Sequence, residues 1–335
     1  MIPLSGSTRK TMLFAFIFTG VVLLFPGAGA LAQENPQYTV EEYNAYQAVT
    51  AEPDAAKKVE LIANFFKTYP KSTLRVHVIG DFQGALKNLQ DAKKWQPIIT
   101  VGRQFLTVIP DDEYTVALVT AAYEETKNYA QLAAFGEEVY KTRPSKDLAY
   151  TIARAYRGAN NRARLMQWAE KVVAEDANNY EMLFELARGY GDMERNAEAE
   201  KFSRQCLKAI QAATRPEGTT EKTWADYTSQ IQMACYFIIG NSSFKRSDYA
   251  NAIPNLESSL KINPRNGMAC YFLAQSYWQT QRIDQAMKNF AKAYLLGGQT
   301  ATPAKQNLEN LYKQTHRGSL IGLDKIIEAA KADIK

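Results

Sequence analysis

Histidine and cysteine are scarce in this chain, at two and three among 335 residues. So few ligands leave little for structural zinc, iron–sulfur clusters or a histidine-based catalytic triad. Neither sign of charge is in excess: 40 Lys plus Arg face 35 Asp plus Glu, for a formal net charge of +5. That balance supplies no dense basic field for nucleic acid. The chain contains no P-loop, nucleophile elbow, H-E-x-x-H pair, EF-hand loop or paired C-x-x-C. These absences point away from an enzyme and from any cofactor or bound metal. Disorder is equally disfavoured, because 46% of residues are hydrophobic and 22% charged, ordinary values for a globular chain.

Long apolar runs are also lacking, with one exception. Arg9 and Lys10 precede an apolar run from Thr11 to Phe25, Pro26 and Gly27 break it, and Ala30-Leu31-Ala32 places small residues before Gln33. This reads as an export signal over residues 1–32, cleaved to leave Gln33 first. The run is shorter than the roughly 20 residues a spanning helix needs, which weighs against an uncleaved anchor. No cysteine follows it, so the lipoprotein route is closed, and no integral span is expected after cleavage. The expected location is therefore the periplasm or the exterior. Residues 33–335 carry 38 basic and 35 acidic side chains, a net charge of +3. An odd cysteine count in an oxidising compartment leaves at least one thiol unpaired, and Cys206, Cys235 and Cys270 read as small core fillers.

The last third repeats itself with a period of 34. Aligning Gly240 with Ala274 brings Ala252 over Ala286, Ile253 over Met287 and Leu260 over Tyr294. Residues 267–300 carry Leu273, Ala274, Tyr277, Ala286, Phe290 and Ala293 at positions 7, 8, 11, 20, 24 and 27. This pattern resembles the tetratricopeptide repeat, in which small residues at 8 and 20 let two antiparallel helices, A and B, approach closely. Residues 233–266 follow it with Gly240, Ala252, Ser259 and a closing Pro264, but place Ser243 at position 11. Residues 180–213 keep Leu186, Ala187, Tyr190, Ala199 and Cys206, and residues 146–179 keep Ile152, Ala153 and Tyr156 while exchanging the later pair for Leu165 and Ala169. Upstream, Pro144, Pro110 and Pro70 persist as closing prolines, and Trp95 and Tyr129 recur one period apart. Phe65 to Ser72 looks like the F-x-x-Y-P-x-S ending of envelope members of the family. The resemblance spans residues 39–300, tightest at the C-terminal end.

The resemblance implies an all-α, helix-turn-helix solenoid wound as a right-handed superhelix, with a C-terminal capping helix. The expected organisation is a signal over 1–32, degenerate helical repeats over 33–111, repeats over 112–213, an insertion over 214–232, two clear repeats over 233–300 and capping helices over 301–335. Thr302-Pro303 reads as one helix start, and Gly318-Ser319 as the next, with Leu320, Leu323, Ile326 and Ile327 on one face. Asp111-Asp112-Glu113 reads as a helix N-terminus rather than a cation site, and His77 and His316 as packing or capping residues. Cys206 and Cys235, at positions 27 and 3 of successive units, flank one interface and are the pair placed to meet.

In the family, helix A positions 2, 5, 9, 12 and 13 line a concave groove that binds extended peptides. Here position 5 is Tyr150, Phe184, Phe237 and Tyr271, and position 9 is Arg154, Arg188, Asn241 and Gln275. Arg157 and Trp278 at position 12, and Lys245 at 13, complete the candidate groove. It would be aromatic along its length and basic toward its N-terminal half, suited to a protein or peptide partner of acidic character. The alternative is that the position 5 aromatics stack between successive A helices and merely hold the superhelix. The Lys-and-Asn clamp that some members use for a C-terminal carboxylate is not matched, because Phe237 stands where Lys would. The expected function is a non-enzymatic interaction scaffold. An envelope hydrolase acting on peptidoglycan is one alternative, though no motif nominates its acid, and a self-assembling structural solenoid is another.

Overall fold

The computed structural model describes residues 37–334, so the expected signal and its cleavage point lie outside the described residues. Sixteen helices follow one another, and no strand occurs among the described residues. They are α1 (Val40–Ala51), α2 (Ala55–Thr68), α3 (Arg75–Asp91), α4 (Trp95–Val108), α5 (Glu113–Glu125), α6 (Tyr129–Thr142), α7 (Lys146–Gly158) and α8 (Arg162–Glu175). Then come α9 (Tyr180–Asp192), α10 (Asn196–Ala212), α11 (Glu221–Lys245), α12 (Tyr249–Ile262), α13 (Gly267–Gln279), α14 (Ile283–Leu296), α15 (Ala301–Thr315) and α16 (Leu323–Asp333). Odd helices up to α13 pack on their even successors, and each even helix from α4 to α14 packs on the next odd one. The chain is an all-α solenoid of helical hairpins.

Three local devices make the hairpins alike. From α3 onward, each turn from an A helix to its B helix contains one residue at positive φ: Lys93, Lys127, Asn160, Glu194, Ser247 and Gln281, with φ between 53° and 60°. The following amide donates back into the A helix, as in Asn128 to the Tyr123 carbonyl at 3.0 Å and Arg282 to that of Tyr277 at 2.8 Å, which closes the helix end in a Schellman arrangement. At the other end, Pro70, Pro110, Pro144 and Pro264 follow the C-cap residue of a B helix, and that residue (Tyr69, Ile109, Arg143 or Asn263) has left the helical region, as the residue before proline does. Side chains of Asp112, Ser145, Asn179, Thr220 and Asn266 then cap the next A helix by accepting from its first-turn amides.

Close packing follows from the small residues. A Cβ added at Gly240 would lie 2.6 Å from Leu256 Cγ and 3.1 Å from the Leu256 backbone nitrogen, so α11 and α12 approach at a distance only glycine permits. Ala274 and Ala286 are fully buried between α13 and α14, beside Leu273, Tyr277 and Phe290. Successive hairpins are also tied by a tyrosine and a glutamate. Tyr156 on α7 donates to Glu137 on α6 at 2.7 Å, Tyr190 on α9 donates to Glu170 on α8, and Tyr277 on α13 donates to Glu257 on α12. Ser243 stands at the equivalent place on α11 and cannot repeat this. There Glu200 of α10 instead meets Arg204 at 2.7 Å, Arg246, and the Ser243 hydroxyl at 3.4 Å.

Two expected helix starts shift. The helix expected from Thr302-Pro303 starts at Ala301, so Pro303 falls within its first turn, where a missing N–H is tolerated. The last helix begins at Leu323 and not at Ser319, because residues 318–322 form a built loop: Gly318 and Gly322 have φ of 85° and 95°, and the Tyr312 hydroxyl donates to the Ile321 carbonyl at 2.7 Å. Leu320 is consequently exposed, while Leu323 is buried and Ile326 and Ile327 are half-buried. α16 packs on α14, where Lys288 and Lys292 reach Asp333 at 2.7 and 2.9 Å. Residues 214–232 comprise most of the exposed connector after α10 and the first turns of α11, one continuous helix of 25 residues.

Candidate functional site

The A helices place the position 5 and position 9 side chains one helical turn apart, and in two successive hairpins this makes the same pair. The Arg154 guanidinium lies 5.7 Å from the Tyr150 ring centre, and Arg188 lies 5.7 Å from that of Phe184. These are cation–π contacts repeated 34 residues apart. The pKa of the Tyr150 hydroxyl is raised first by burial and then by the nearby Glu181 carboxylate.

Phe184, Arg188, Phe237 and Asn241 come together on one cleft of about 360 Å³ between α9, α11 and the start of α13. Ile238, Asp192 and Met268 share its walls, and Met268 is 44% exposed there. The Asn241 Oδ1 is buried and has no hydrogen-bond partner among the described residues, although a buried carbonyl oxygen usually finds a donor. The cleft thus combines apolar walls, a guanidinium and an acceptor awaiting a donor, the mixture that peptide sites use.

The remaining candidates lie elsewhere. Tyr271, Gln275 and Trp278 on α13 turn mainly to internal partners: Gln275 donates to the Tyr271 hydroxyl at 3.0 Å, Asn307 donates to it at 3.3 Å, and Trp278 meets Phe290 edge-on at 6.2 Å. Phe237 approaches Phe272 at 6.4 Å between α11 and α13, so an aromatic at position 5 does stack between neighbouring A helices while also lining the cleft. Exposed Lys245 reaches Glu194 at 3.2 Å.

Two glutamates alter the charge expected of the groove. Arg157 lies 3.4 Å from Glu181 and 3.7 Å from Glu185, and Arg188 lies 3.9 Å from Glu185, which is itself buried. Of the three groove arginines, only Arg154 makes no ion pair among the described residues. Glu181 holds position 2 of its unit, so the repeat pattern itself carried the signal, whereas Glu185 at position 6 carried none. Phe272, also at position 6, was equally unmarked.

Away from the groove, Asp112 caps α5 by accepting from the Thr115 amide at 2.8 Å and also accepts from Gln83 at 2.7 Å. His316 stacks on Tyr312 with ring centres 3.7 Å apart at the end of α15, and His77 lies 6.1 Å from Tyr46. Among the described residues no group of three or more His, Cys, Asp or Glu side chains is placed to hold a metal ion. No helix among them is long and apolar enough to cross a membrane.

Compared with known proteins, residues 243–295 match the tetratricopeptide repeat family. No curated protein sequence matches the chain. Among solved structures, a MamA designated MSR-1 is similar at 17% identity and a TM-score of 0.41, covering 54% of this chain and 94% of that one. A MamA designated AMB-1 is similar at 19% identity and 0.41, covering 53% and 94%. The C-terminal part of a repeat-containing protein from Cytophaga hutchinsonii is similar at 13% identity and 0.42, covering 75% and 93%. The matched segment runs from the end of α11 through α12 and α13 into α14, the hairpins whose seam residues are best formed, and hairpins packed in the same way continue on both sides of it: residues 243–295 are similar to the tetratricopeptide repeat, within a longer all-α solenoid.

Proposed function

We propose that this chain is a non-enzymatic scaffold that captures an extended segment of a partner protein along its A helices, after export to a periplasm or envelope. The observation that carries the reading is the cleft, where Phe184, Phe237 and Met268 offer apolar contact beside the unpaired Asn241 oxygen. An extended peptide would seat one apolar side chain there and satisfy Asn241 with a backbone N–H. Aromatic and arginine side chains concentrate binding energy at such surfaces. With Arg157 and Arg188 partly neutralised by Glu181 and Glu185, preference for an acidic partner would rest on Arg154.

The test uses a displayed library of random peptides. Binders selected on the intact protein are measured against Tyr150→Ala, Arg154→Ala, Phe184→Ala and Asn241→Ala. Each variant is expected to lose about 1 kcal/mol or more of binding, roughly a factor of 5 to 10 in Kd, with its circular dichroism unchanged. Weakening as salt rises, lost in Arg154→Ala, would mark an acidic ligand. Unchanged affinity in all four variants would remove the concave face from consideration. Sequencing the N-terminus of native material tests export separately: Gln33 supports it, and Met1 refutes it.

A further inference from the structure

Two of the three cysteines meet. Cys206 on α10 and Cys235 on α11 are both fully buried and share one core cluster with Leu183, Ala209, Ile210 and Ile231. The Cys206 sulfur is the foremost influence holding the Cys235 thiol protonated, and the Cys206 thiol donates to the Tyr180 carbonyl at 3.3 Å. Both are free thiols, and so is Cys270, which sits apart in the cluster around α13 and α14.

The place of this pair is unusual within the solenoid. α10 and α11 are joined by a largely exposed connector over 213–220, and this interface carries the Arg204–Glu200–Arg246 cluster where others have a tyrosine on a glutamate. Both arginines of that cluster are open to solvent, and ion pairs that water reaches contribute little to holding a joint. This is also the joint behind the cleft. Cys235 adjoins Ala234 and stands two residues before Phe237, both on the cleft wall, and Leu183 of the thiol cluster precedes Phe184.

We propose that Cys206 and Cys235 are a modification site at which a small disulfide oxidant, such as oxidised glutathione, drives closure of an intramolecular bridge between α10 and α11. When the joint opens, one thiol gives its proton to solvent and its thiolate attacks a glutathione sulfur, expelling glutathione thiolate. The second thiolate attacks the resulting mixed disulfide, forms the Cys206–Cys235 bond and releases a second glutathione thiolate. Two protein thiols are oxidised, one glutathione disulfide is reduced to two thiols, and the protons end on glutathione. The neighbouring Cys206 sulfur and then burial favour the protonated form of Cys235, so closure is slow and paced by opening. The bridge fixes the α9–α10 hairpin against α11 across the cleft. That consequence for ligand capture rests on the groove reading; the bond itself does not.

The test takes the full chain, reduced and freed of reductant, and incubates it with oxidised glutathione before denaturation and mass-tagging of free thiols. The expected result is a monomer with one free thiol of the original three, Cys270, and a peptide map joining Cys206 to Cys235. Cys270→Ser should close the same bridge, and mild urea should speed it. In the bridged form, amide exchange over 203–210 and 231–239 should slow by about tenfold or more relative to the reduced form. Three free thiols after a time that oxidises the unfolded chain, or stable glutathione adducts at Cys206 or Cys235, would overturn the proposal. So would a bridge that leaves exchange unchanged, because α10 and α11 would then not be tied. Failure of peptide capture changes none of these readings, so the two claims fail separately.

Discussion

Glycine to alanine is the same chemical change wherever it is made, yet here the sign of its effect should depend on what faces the new methyl. At Gly80 and Gly84, exposed on α3, an added Cβ meets nothing within 4 Å. Only the helix preference of alanine acts, worth about 0.5 to 1 kcal/mol in its favour at each site. At Gly240 the Cβ would stand 2.6 and 2.9 Å from two carbons of Leu256 and 3.1 Å from its backbone nitrogen, where carbons normally keep about 3.5 to 4.0 Å. Leu256 is fully buried and its backbone cannot turn away, so α11 and α12 must part. Overpacking of this kind costs roughly 1 to 3 kcal/mol, and after the gain in helix preference the net loss is about 1 to 2 kcal/mol. Gly189 makes an intermediate case. Its Cβ would meet the Met166 sulfur at 2.4 Å, but a thioether on three rotatable bonds can swing aside, so the penalty should be the smaller of the two. Thermal unfolding followed by circular dichroism should rank the variants, with Gly80→Ala and Gly84→Ala above the parent, then Gly189→Ala, then Gly240→Ala. A shift of roughly 2 °C per kcal/mol is expected at this size. A repeat array can unfold in parts, so native-state hydrogen exchange of α11 and α12 supplies the local reading, and Gly240→Ala should accelerate it. If Gly240→Ala raised the melting temperature as Gly80→Ala does, close helix approach would not be the reason for glycine at that position.

Lys127 holds a left-handed conformation with φ of 54°, which costs an L-residue about 1 to 2 kcal/mol; Lys127→Gly should stabilise by about 0.5 to 1 kcal/mol after the entropy of the unfolded glycine is counted. Asn160→Gly, from a residue that tolerates this region, should gain less, and equal gains in the two melting curves would contradict the turn argument. Burial opposes ionisation of Glu137, but hydrogen bonds from Tyr156, Trp168 and Arg164 outweigh it and leave its pKa below the ordinary glutamate value of 4.5. Its contribution is therefore complete above that value and is lost as pH falls through the lower folded pKa. Glu137→Gln should melt lower than the parent at neutral pH and show a shallower decline in acid; parallel acid profiles would show that this carboxylate contributes nothing.

What could be read before the structure was whatever leaves a fixed residue at a fixed spacing. Small residues at Gly240, Ala252, Ala274 and Ala286, rings at Tyr277 and Phe290, and prolines after B helices all did, and they brought the hairpin architecture with them. The turns left no mark, because lysine, glutamate, serine and glutamine hold left-handed positions where a glycine would have announced one. The start of α16 was misplaced because Gly318 and Gly322 both look like boundaries, and only the Tyr312 hydroxyl on the Ile321 carbonyl decides between them. Pro254 lies inside α12, against the rule that proline ends a helix; the carbonyl it leaves without a partner belongs to exposed Ala250, which water can serve. At the groove, side-chain types were legible and their charge compensation across hairpins was not, since Arg157 meets Glu181 and Glu185 only after two hairpins have stacked.

The position 5 rings on α7, α9, α11 and α13 rule the row of A helices like a measuring scale, with one mark per helix. Where successive A helices pack directly, as α9 with α11 and α11 with α13, they stand about 8 to 10 Å apart. In a β-strand, side chains on one side recur every second residue, at about 6.6 to 6.8 Å, and fall out of step with such marks after the first. In a polyproline II helix they recur every third residue, at about 9.3 Å, and stay in step from one hairpin to the next. A ligand that presents an apolar or acidic side chain every third residue should therefore outcompete one of the same composition that presents it every second, and the spacing of the helices would have chosen its partner's backbone before any side chain was read.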